Sequence, residues 1–217
     1  MKIVHQHNVS PGIYFTSDTH YHHKNICRAT SSWEDPLSST RDFKSLDHMD
    51  STIVDRINKF VGSNDTLFHL GDWSFGGFER IAEFRNRLVC QNVHLILGNH
   101  DQHIEADRDG VQGLFTSVQH YLELDIEYFG AAYNLVRNYK LVLMHYPIQS
   151  WNNMHKGAIH LHGHVHLPNA RKLGNGKMLD VGLDGNNYFP YNFKEIISIM
   201  DTQPIAGGIV DDHHLDN

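Results

Sequence analysis

The sequence lacks the features of a disulfide-stabilised, membrane-spanning or repetitive protein. Its two cysteines, Cys27 and Cys90, are too few for a disulfide framework or for a zinc site built from thiolates. No window approaches the roughly 18 consecutive apolar residues that cross a membrane, and the first residues, MKIVHQHNVS, contain no apolar signal core. No period of about 20 to 50 residues repeats. We therefore expect a cytoplasmic protein that does not engage a membrane.

Positive charge is also scarce. The chain has 18 Lys and Arg against 25 Asp and Glu, which gives a formal net charge of −7. Proteins that bind long duplex nucleic acid contact its phosphates mainly through Lys and Arg, so this balance argues against such a partner. Small phosphate compounds and single-stranded nucleic acid are compatible with it.

The length and apolar content are sufficient for one folded unit. The chain has 217 residues, of which 40% are hydrophobic, and this is enough to bury a substantial core within the usual size of a domain. We predict a single domain over residues 1–217, in which residues 201–217 form a loosely held C-terminal tail. The sequence leaves the oligomeric state open.

Strands and helices alternate along the chain. Apolar residues between Leu46 and Phe60 recur every three or four positions, which predicts an amphipathic helix ending near Gly62, and residues 78–88 predict a second. Strict alternation within 118–143 predicts antiparallel strands. Five apolar runs have the composition of buried strands: GIYFTSD (12–18), TLFHLGD (66–72), VHLILGN (93–99), KLVLMH (140–145) and AIHLHG (158–163). The order predicts a layered α/β fold.

Each of these five runs ends in, or is followed closely by, potential metal ligands. They are Asp18 and His20, then Asp72, then Asn99 and His100, then His145, and finally His164 and His166. In open α/β sheets the carboxyl ends of strands converge on one crevice, so these side chains are expected to meet. A carboxylate can bridge two divalent ions while imidazoles and an amide oxygen complete their coordination. Mixed nitrogen and oxygen donors suit manganese, which we favour, or iron, nickel, cobalt or zinc.

The same segments carry a family resemblance. The blocks SDTH (17–20), HLGDWSF (69–75), LGNHD (97–101), MHYP (144–147) and HLHGHVH (160–166) resemble the calcineurin-like metallophosphoesterase superfamily, whose signature is D-x-H, G-D, G-N-H-D or E, H and G-H-x-H in this order. The chain is most similar to small, single-domain bacterial and phage-type members, which also have counterparts of HKNI (23–26), SWNN (150–153) and VGLDGNNYFP (181–190). His22 is a departure, because that subgroup more often has Gly there.

The resemblance implies a fold and a ligand assignment. The fold is a four-layer α/β/β/α sandwich with two mixed sheets. Asp18, His20 and His166 hold one ion, Asn99, His145 and His164 hold the other, and Asp72 bridges them. His100 is not a ligand; it lies over the substrate and either donates to a phosphoryl oxygen or protonates the leaving group.

The implied function is hydrolysis of a phosphate ester by in-line attack of a hydroxide that bridges two metal ions. We favour a phosphodiester derived from a nucleotide or from nucleic acid. A phosphomonoesterase using the same site is one alternative, and a catalytically inactive interaction protein with the same fold is another. The 19 histidines would also suit a metal-buffering protein, but buffering does not explain ligands at separate strand ends.

Other polar residues receive secondary assignments. His23 and Asn25 are candidate substrate contacts, although His23 could instead cap the helix that follows it. His69 and His160 are expected to be interior histidines, and His162 either orients a ligand or packs in the core. Trp73 and Phe75 face either the pocket or the core. The weaker candidates for contact with phosphate or leaving group are Arg28, Asn153, Arg171, Lys172 and Lys177.

Overall fold

The computed structural model describes residues 1–130, 136–167 and 173–206, which form two five-stranded β-sheets with helices around them. The strands are β1 (Lys2–Gln6), β2 (Ile13–Thr16), β3 (Thr66–His69), β4 (Asn92–Ile96), β5 (Ser117–Gln119), β6 (Tyr121–Phe129), β7 (Val136–Met144), β8 (Ile159–His162), β9 (Met178–Asp180) and β10 (Tyr191–Asn192). The α-helices are α1 (Pro36–Ser39), α2 (Leu46–Phe60), α3 (Gly77–Arg87), α4 (Gln102–Glu105) and α5 (Phe193–Asp201). Short 3-10 helices span Lys24–Ile26, Arg28–Thr30, Arg108–Leu114, Met154–Lys156 and Leu183–Asn186. The fold is of the α/β class, as the alternation predicts.

Both sheets are mixed. The first has the order β1-β6-β7-β8-β9, and its β6–β7 pair is antiparallel, as the alternation within 118–143 predicts. The second has the order β10-β2-β3-β4-β5, and β10 pairs with β2 antiparallel. The parallel neighbours β2, β3 and β4 deliver their following loops to one edge, and β7 and β8 do the same in the first sheet. A backbone bridge between Ser17 and Gly182 connects the two edges.

The apolar faces of the two sheets share one core cluster. Phe15 and Phe68 of the second sheet lie in this cluster with Leu124 and Leu141 of the first, and all four are fully buried. Burying one such side chain stabilises a fold by about 1.5–3 kcal/mol. Because strand residues alternate between faces, the neighbouring Leu67 points the other way, into a cluster that includes residues of α2 and α3.

Helices α2 and α3 lie where the apolar periodicity predicts them. The side chain of Ser45 caps α2 by accepting a hydrogen bond from the His48 N–H, and Asp47 and Lys59 lie in the turns whose helix-dipole charge each complements. Its face toward the second sheet includes Met49 and Ile53, both fully buried. These helices form the layer outside the second sheet.

The outer face of the first sheet is covered differently. Val142 of β7 and Met178 of β9 pack there against Trp151 and Met154, which belong to a loop containing a 3-10 helix. In the part of the chain that the structure describes, this loop takes the place of a long α-helix. The described segments therefore place no long α-helix on this face, where the four-layer sandwich implied by the resemblance would have one.

Several short elements have no counterpart in the sequence prediction. Strands β1, β9 and β10 have five, three and two residues, too few for a periodic pattern to be distinctive. Helix α5 begins with a capping box, in which the Asn192 side chain and Glu195 each bond the other's backbone. Its apolar residues include Ile196, which packs between sheet residues.

The structure describes only residues 201–206 of the predicted C-terminal tail. Asp201 is the last residue of α5, and Ala206 is buried in the cluster beneath Trp151. Residues 207–217 of the predicted tail lie outside the described residues. Among those described, no helix combines the length and apolarity needed to cross a membrane.

Candidate metal centre

The predicted ligands meet where the strand ends of both sheets converge. Asp18, Asp72 and Asn99 follow β2, β3 and β4, while His145 directly follows β7 and His164 follows β8. The structure thus brings together side chains separated by up to about 150 residues of sequence.

One oxygen of Asp72 occupies the middle of the group. Its Oδ2 lies 3.5 Å from His20 Nε2 and 3.6 Å from His145 Nε2. Its Oδ1 accepts a hydrogen bond of 2.9 Å from the backbone N–H of His100. The carboxylate is therefore fixed by one oxygen and presents the other between the two predicted ligand sets, which is the position that a bridging ligand requires.

The first set is Asp18, His20 and His166. The Nε2 atoms of the two histidines lie 3.2 Å apart, and Asp18 Oδ1 is 3.9 Å from one and 3.8 Å from the other. Two imidazoles bound to one transition metal at about 2.1 Å would have their nitrogens about 3.0–3.4 Å apart at ordinary bond angles. The spacing therefore fits a shared cation.

The second set has similar spacing around an amide oxygen. Asn99 Oδ1 lies 3.1 Å from His145 Nε2 and 2.9 Å from His164 Nδ1. His164 is exposed, whereas His145 is fully buried. The second set is thus more open to solvent than the first, in which Asp18 and His20 are both buried.

Hydrogen bonds fix the ring orientation of one histidine in each set. His145 Nδ1–H donates to the backbone oxygen of Leu70 at 2.7 Å, which leaves Nε2 with the lone pair. His166 Nδ1–H donates to Asp184 Oδ2 at 2.6 Å, which directs its Nε2 toward His20 of the first set. Such partners orient metal-binding histidines and increase their basicity.

A buried arginine stands behind the first set. Arg41 donates to both carboxylate oxygens of Asp184 at 2.8 Å and to the backbone oxygens of Asp18 and Thr19 at 2.6 and 2.9 Å. Burial would raise the pKa of Asp184, but the charges of Arg41 and then His166 hold that pKa well below its usual range. Asp184 is therefore an anion when His166 donates to it.

The charges of the centre favour a cation. Burial raises the pKa of Asp18 to about 7, and burial together with the nearby Arg41 charge lowers the pKa of His20 well below its usual value. Burial also lowers the pKa of His145, so His20 and His145 are neutral and do not compensate the buried carboxylates. Burial would lower the pKa of His166 as well, but its hydrogen bond to Asp184 raises it, so His166 pairs with that anion. Uncompensated buried charge is costly. Divalent ions between the two sets would supply that compensation.

Asp101 fixes the loops that carry Asp72 and Asn99. It accepts hydrogen bonds from three backbone N–H groups, those of Asp72 and Trp73 at 2.9 Å and of Gly98 at 2.8 Å. Burial raises its pKa to about 7, although these bonds oppose the increase. The loops after β3 and β4 are thereby joined through one carboxylate.

Five of the predicted ligands have left-handed backbone conformations. The φ angles of Asp18, His20, Asp72, His164 and His166 lie between 46° and 72°. Such conformations are uncommon for residues other than glycine and concentrate at functional sites. The loops here turn so sharply that the ligand residues themselves adopt the strained angles.

His22, at the position where the resemblance would favour Gly, has the same left-handed conformation. Its φ is 63°. Its backbone N–H and its Nδ1 contact the two carboxylate oxygens of Asp50 at 2.9 and 3.1 Å. These contacts hold a residue with a side chain where glycine would fit without strain.

His100 stands at the edge of the centre with its side chain 42% exposed. Its Nε2 is 4.0 Å from Asp72 Oδ2, and its ring centre is 5.5 Å from that of His20. The adjacent Asn99 contributes to the second set while His100 faces outward. Its exposure is compatible with the substrate contact that the resemblance predicts for His100.

His23 and Asn25 have different surroundings. The His23 ring stacks on Phe75 at 3.7 Å and lies 5.4 Å from the His20 ring, so it borders the centre. Burial lowers its pKa to about 4. Its side chain makes no capping hydrogen bond to the following 3-10 helix, so the capping interpretation is not supported. Asn25 Oδ1 accepts from the N–H and hydroxyl of Ser32, within its own loop.

The interior histidines lie in the core as expected. His69 contacts the Thr19 hydroxyl at 2.9 Å, and burial lowers its pKa to about 3. His160 donates from Nδ1 to the Val142 oxygen at 3.0 Å and accepts at Nε2 from the Ile148 N–H at 3.2 Å. His162 bonds the Gly163 oxygen through Nδ1, but its buried Nε2 has no hydrogen-bond partner.

The remaining candidates are distributed between core, centre and surface. Trp73 is fully buried, whereas Phe75 is half-buried among His20, His23 and His100. Lys177 lies 3.9 Å from Asp201 on α5. Asn153 begins the 3-10 helix in the loop over the first sheet. Arg171 and Lys172 lie outside the described residues.

Comparison with known proteins gives remote relatives without an assigned activity. No family model matches the chain. It is 25% identical over 205 residues to an uncharacterized protein, MJ1445, of Methanocaldococcus jannaschii, covering 92% of this chain and 97% of that protein. It is also 25% identical over 173 residues to the Gene 66 protein of Mycobacterium phage L5, covering 71% and 77%.

The fold is similar to that of a solved structure. The crystal structure of AQ665, a protein of unknown function from Aquifex aeolicus, matches with a TM-score of 0.61 over 88% of this chain and 100% of that chain. The sequence identity is 22%. At this level the likeness extends to the fold alone.

Sequence reasoning missed three residues that organise the centre. Asp101 belongs to the block LGNHD and Asp184 to VGLDGNNYFP, so both lay within recognised segments but had no assigned role. Arg41 lies in no such segment. A single buried arginine has no local pattern, and its partner Asp184 is 143 residues away.

Proposed function

We propose that this chain is a phosphoesterase that uses two divalent transition-metal ions. The observation that carries the proposal is the position of Asp72 Oδ2, which faces His20 Nε2 at 3.5 Å and His145 Nε2 at 3.6 Å from opposite ligand sets. Asp18, His20 and His166 would hold one ion, and Asn99, His145 and His164 the other. The nitrogen and oxygen donors without thiolate suit manganese, which we favour, and also iron, nickel, cobalt or zinc.

The fold is consistent with this assignment. Two mixed sheets share a core cluster, and α2 and α3 cover the second sheet. We infer the sandwich of the metallophosphoesterase-like type, with its fourth layer reduced to the loop around Trp151. The described segments carry all seven proposed ligands.

When bound, two such ions lower the pKa of a water molecule and neutralise charge on phosphoryl oxygens. The residues of this chain would hold those ions and position the substrate. Asp184 and the Leu70 oxygen fix the rings of His166 and His145, so their free nitrogens need no reorganisation. His100, exposed beside Asp72, is placed to donate a proton to the leaving oxygen or a hydrogen bond to a phosphoryl oxygen.

A phosphodiester is the favoured substrate because the nearby arginines are already engaged. Arg41 directs three nitrogens to Asp184, Asp18 and Thr19, and Arg28 bonds Thr40 and lies 2.9 Å from Asp42. A monoester carries an additional charged oxygen that arginine recognises well. These two arginines cannot supply a free bidentate clamp, although the same centre would still accept a monoester as the alternative substrate.

The test is metal reconstitution followed by elemental analysis and matched rate measurements on an aryl and a bis-aryl phosphate. We expect two ions per chain and faster hydrolysis of the diester. Asp72→Asn should abolish both metal binding and hydrolysis, and Asp55→Asn, an exposed change on α2, is its control. Full activity with one ion would overturn the binuclear centre. Two ions without hydrolysis of either ester would favour the inactive interaction protein.

A further inference from the structure

A cleft adjoins the candidate metal centre on the side of His166. Its volume is about 640 Å³, and its lining includes His166 and Asp184 together with Ile26, Arg28, Trp33 and Tyr188. Clefts of about 300–1,000 Å³ accommodate small-molecule ligands. A phosphate at the centre would therefore have room beside it for the organic group to which it is esterified.

Two aromatic side chains line this cleft. Trp33 is 40% exposed, and its ring meets His23 at 6.1 Å in a T-shaped contact. Tyr188 is half-buried, with the guanidinium groups of Arg41 and Arg56 at 5.6 and 5.4 Å from its ring centre. Tyr188 is thus held by two cation–π contacts, and Trp33, the more exposed of the two rings, presents apolar surface to a ligand. Such rings favour a planar partner that can stack.

The charges of the lining are already paired. The Arg28 guanidinium lies 2.9 Å from Asp42 and donates to Thr40, and Arg41 is bonded to Asp184. The cleft therefore offers little to a second phosphate. It does offer hydrogen-bonding groups at its margin, because Asp42 is largely exposed and can accept from an amino group. The combination fits a flat, uncharged ring with polar edges.

We propose that this cleft binds the nucleoside of a phosphate ester, with the base stacked on Trp33. The inference rests on the proposed function, since the phosphate is placed at the metal centre, and it specifies the substrate class as nucleotide esters. Aromatic contacts with bases contribute about 1–3 kcal/mol each, which corresponds to about 5-fold to 150-fold in affinity.

The experiment compares three probes by calorimetry on the metal-loaded protein: inorganic phosphate, ribose 5-phosphate and adenosine 5′-monophosphate. We expect the nucleotide to bind about 5-fold to 150-fold more tightly than ribose 5-phosphate. Trp33→Ala should remove this difference, and Trp33→Phe should keep most of it. Phe78→Ala, which changes an aromatic residue of similar exposure on α3, should have no effect.

The outcomes separate the two proposals. Equal affinity for the nucleotide and ribose 5-phosphate, or an undiminished difference in Trp33→Ala, would overturn the nucleoside site while phosphate binding leaves the phosphoesterase intact. A Trp33-dependent preference for the nucleotide without hydrolysis of any ester would support the nucleoside site and overturn the phosphoesterase. Trp33 fluorescence gives a second readout, because Trp73 and Trp151 are buried and quenching by the nucleotide should disappear in Trp33→Phe.

Discussion

The two ligand sets of the candidate centre are supported by different chemistry. Behind His166 stands a charged pair, Asp184 and Arg41, whereas His145 is oriented by the neutral backbone oxygen of Leu70. The first set contains the buried Asp18 carboxylate, and the second contains the neutral Asn99 and the exposed His164. Charge attracts a cation and charge-assisted bonds are stronger than neutral ones. We therefore expect the first ion to be held more tightly and the second to exchange more readily.

The largest effect is expected where the two sets meet. Asp72→Asn removes the negative charge of the only carboxylate proposed to contact both ions, so both ions should be lost together. Lewis-acid stabilisation is worth several kcal/mol, and turnover should fall by about 10³-fold or more. Elemental analysis and initial rates provide the measurement. If Asp72→Asn retained one ion with the affinity of the wild type, the two sets would be independent and the bridge misplaced.

His100→Asn should lower turnover without changing metal binding by either ligand set. Since His100 is proposed not to bind metal, both ions should remain. If it donates a proton, the loss on an alkyl ester should be about 10²–10⁴-fold, and it should shrink with a nitrophenyl ester, whose leaving group needs no proton. Equal losses on the two esters would mean that His100 stabilises phosphoryl oxygens. Loss of a metal ion would place His100 among the ligands.

Asp184→Asn tests how much the Asp184 charge contributes to metal binding by the first ligand set. The substitution keeps a hydrogen-bond acceptor for His166 but removes the charge, so affinity in the first set should fall by about 10–100-fold, as for other partners of metal-binding histidines. Competition with a chelator would measure the two affinities separately. The second set should be unchanged, and an equal loss in both would remove the distinction between them. Thermal unfolding must be recorded as well, because Arg41 loses its buried counter-charge.

A smaller effect is expected on the stability of the segment that carries His145. His160 donates to the Val142 oxygen and accepts from the Ile148 N–H, which lies three residues beyond His145. Burial lowers the pKa of His160 to about 4 from 6.5. Only the neutral ring can accept the hydrogen bond from the Ile148 N–H. The stability that this bond contributes is therefore fully present above pH 6.5 and is lost as the pH falls from 6.5 through about 4. The pKa difference corresponds to about 3 kcal/mol.

His160→Gln should therefore make the free energy of unfolding less dependent on pH between about 6.5 and 4. Urea unfolding at several pH values is the measurement. His120→Gln, which changes an exposed histidine, is the matched control and should leave the dependence unchanged. A wild-type stability that is constant over this range would contradict the assignment.

The sequence predicted the ligands at the strand ends more completely than the residues that orient those ligands. The runs before Asp18, Asp72 and His145 are short and apolar and end in a polar residue, so both the strands and the convergence of the ligands followed from local pattern. The pair Arg41 and Asp184 joins positions 143 residues apart, and no local period reports such a contact. Trp33 illustrates the same limit, because an isolated tryptophan is equally compatible with core and cleft.

The left-handed loops restrict which donors the centre can use. At Asp18, His20, Asp72, His164 and His166 the backbone requires a residue that tolerates positive φ, while the chemistry requires a donor atom. Glycine satisfies the first demand only. Asp, Asn and His are several-fold enriched at positive φ, so they satisfy both. Aspartate at position 18 is therefore selected over glutamate by backbone conformation as well as by reach, and a redesign of the metal preference would have to change loop geometry before it changed ligand type.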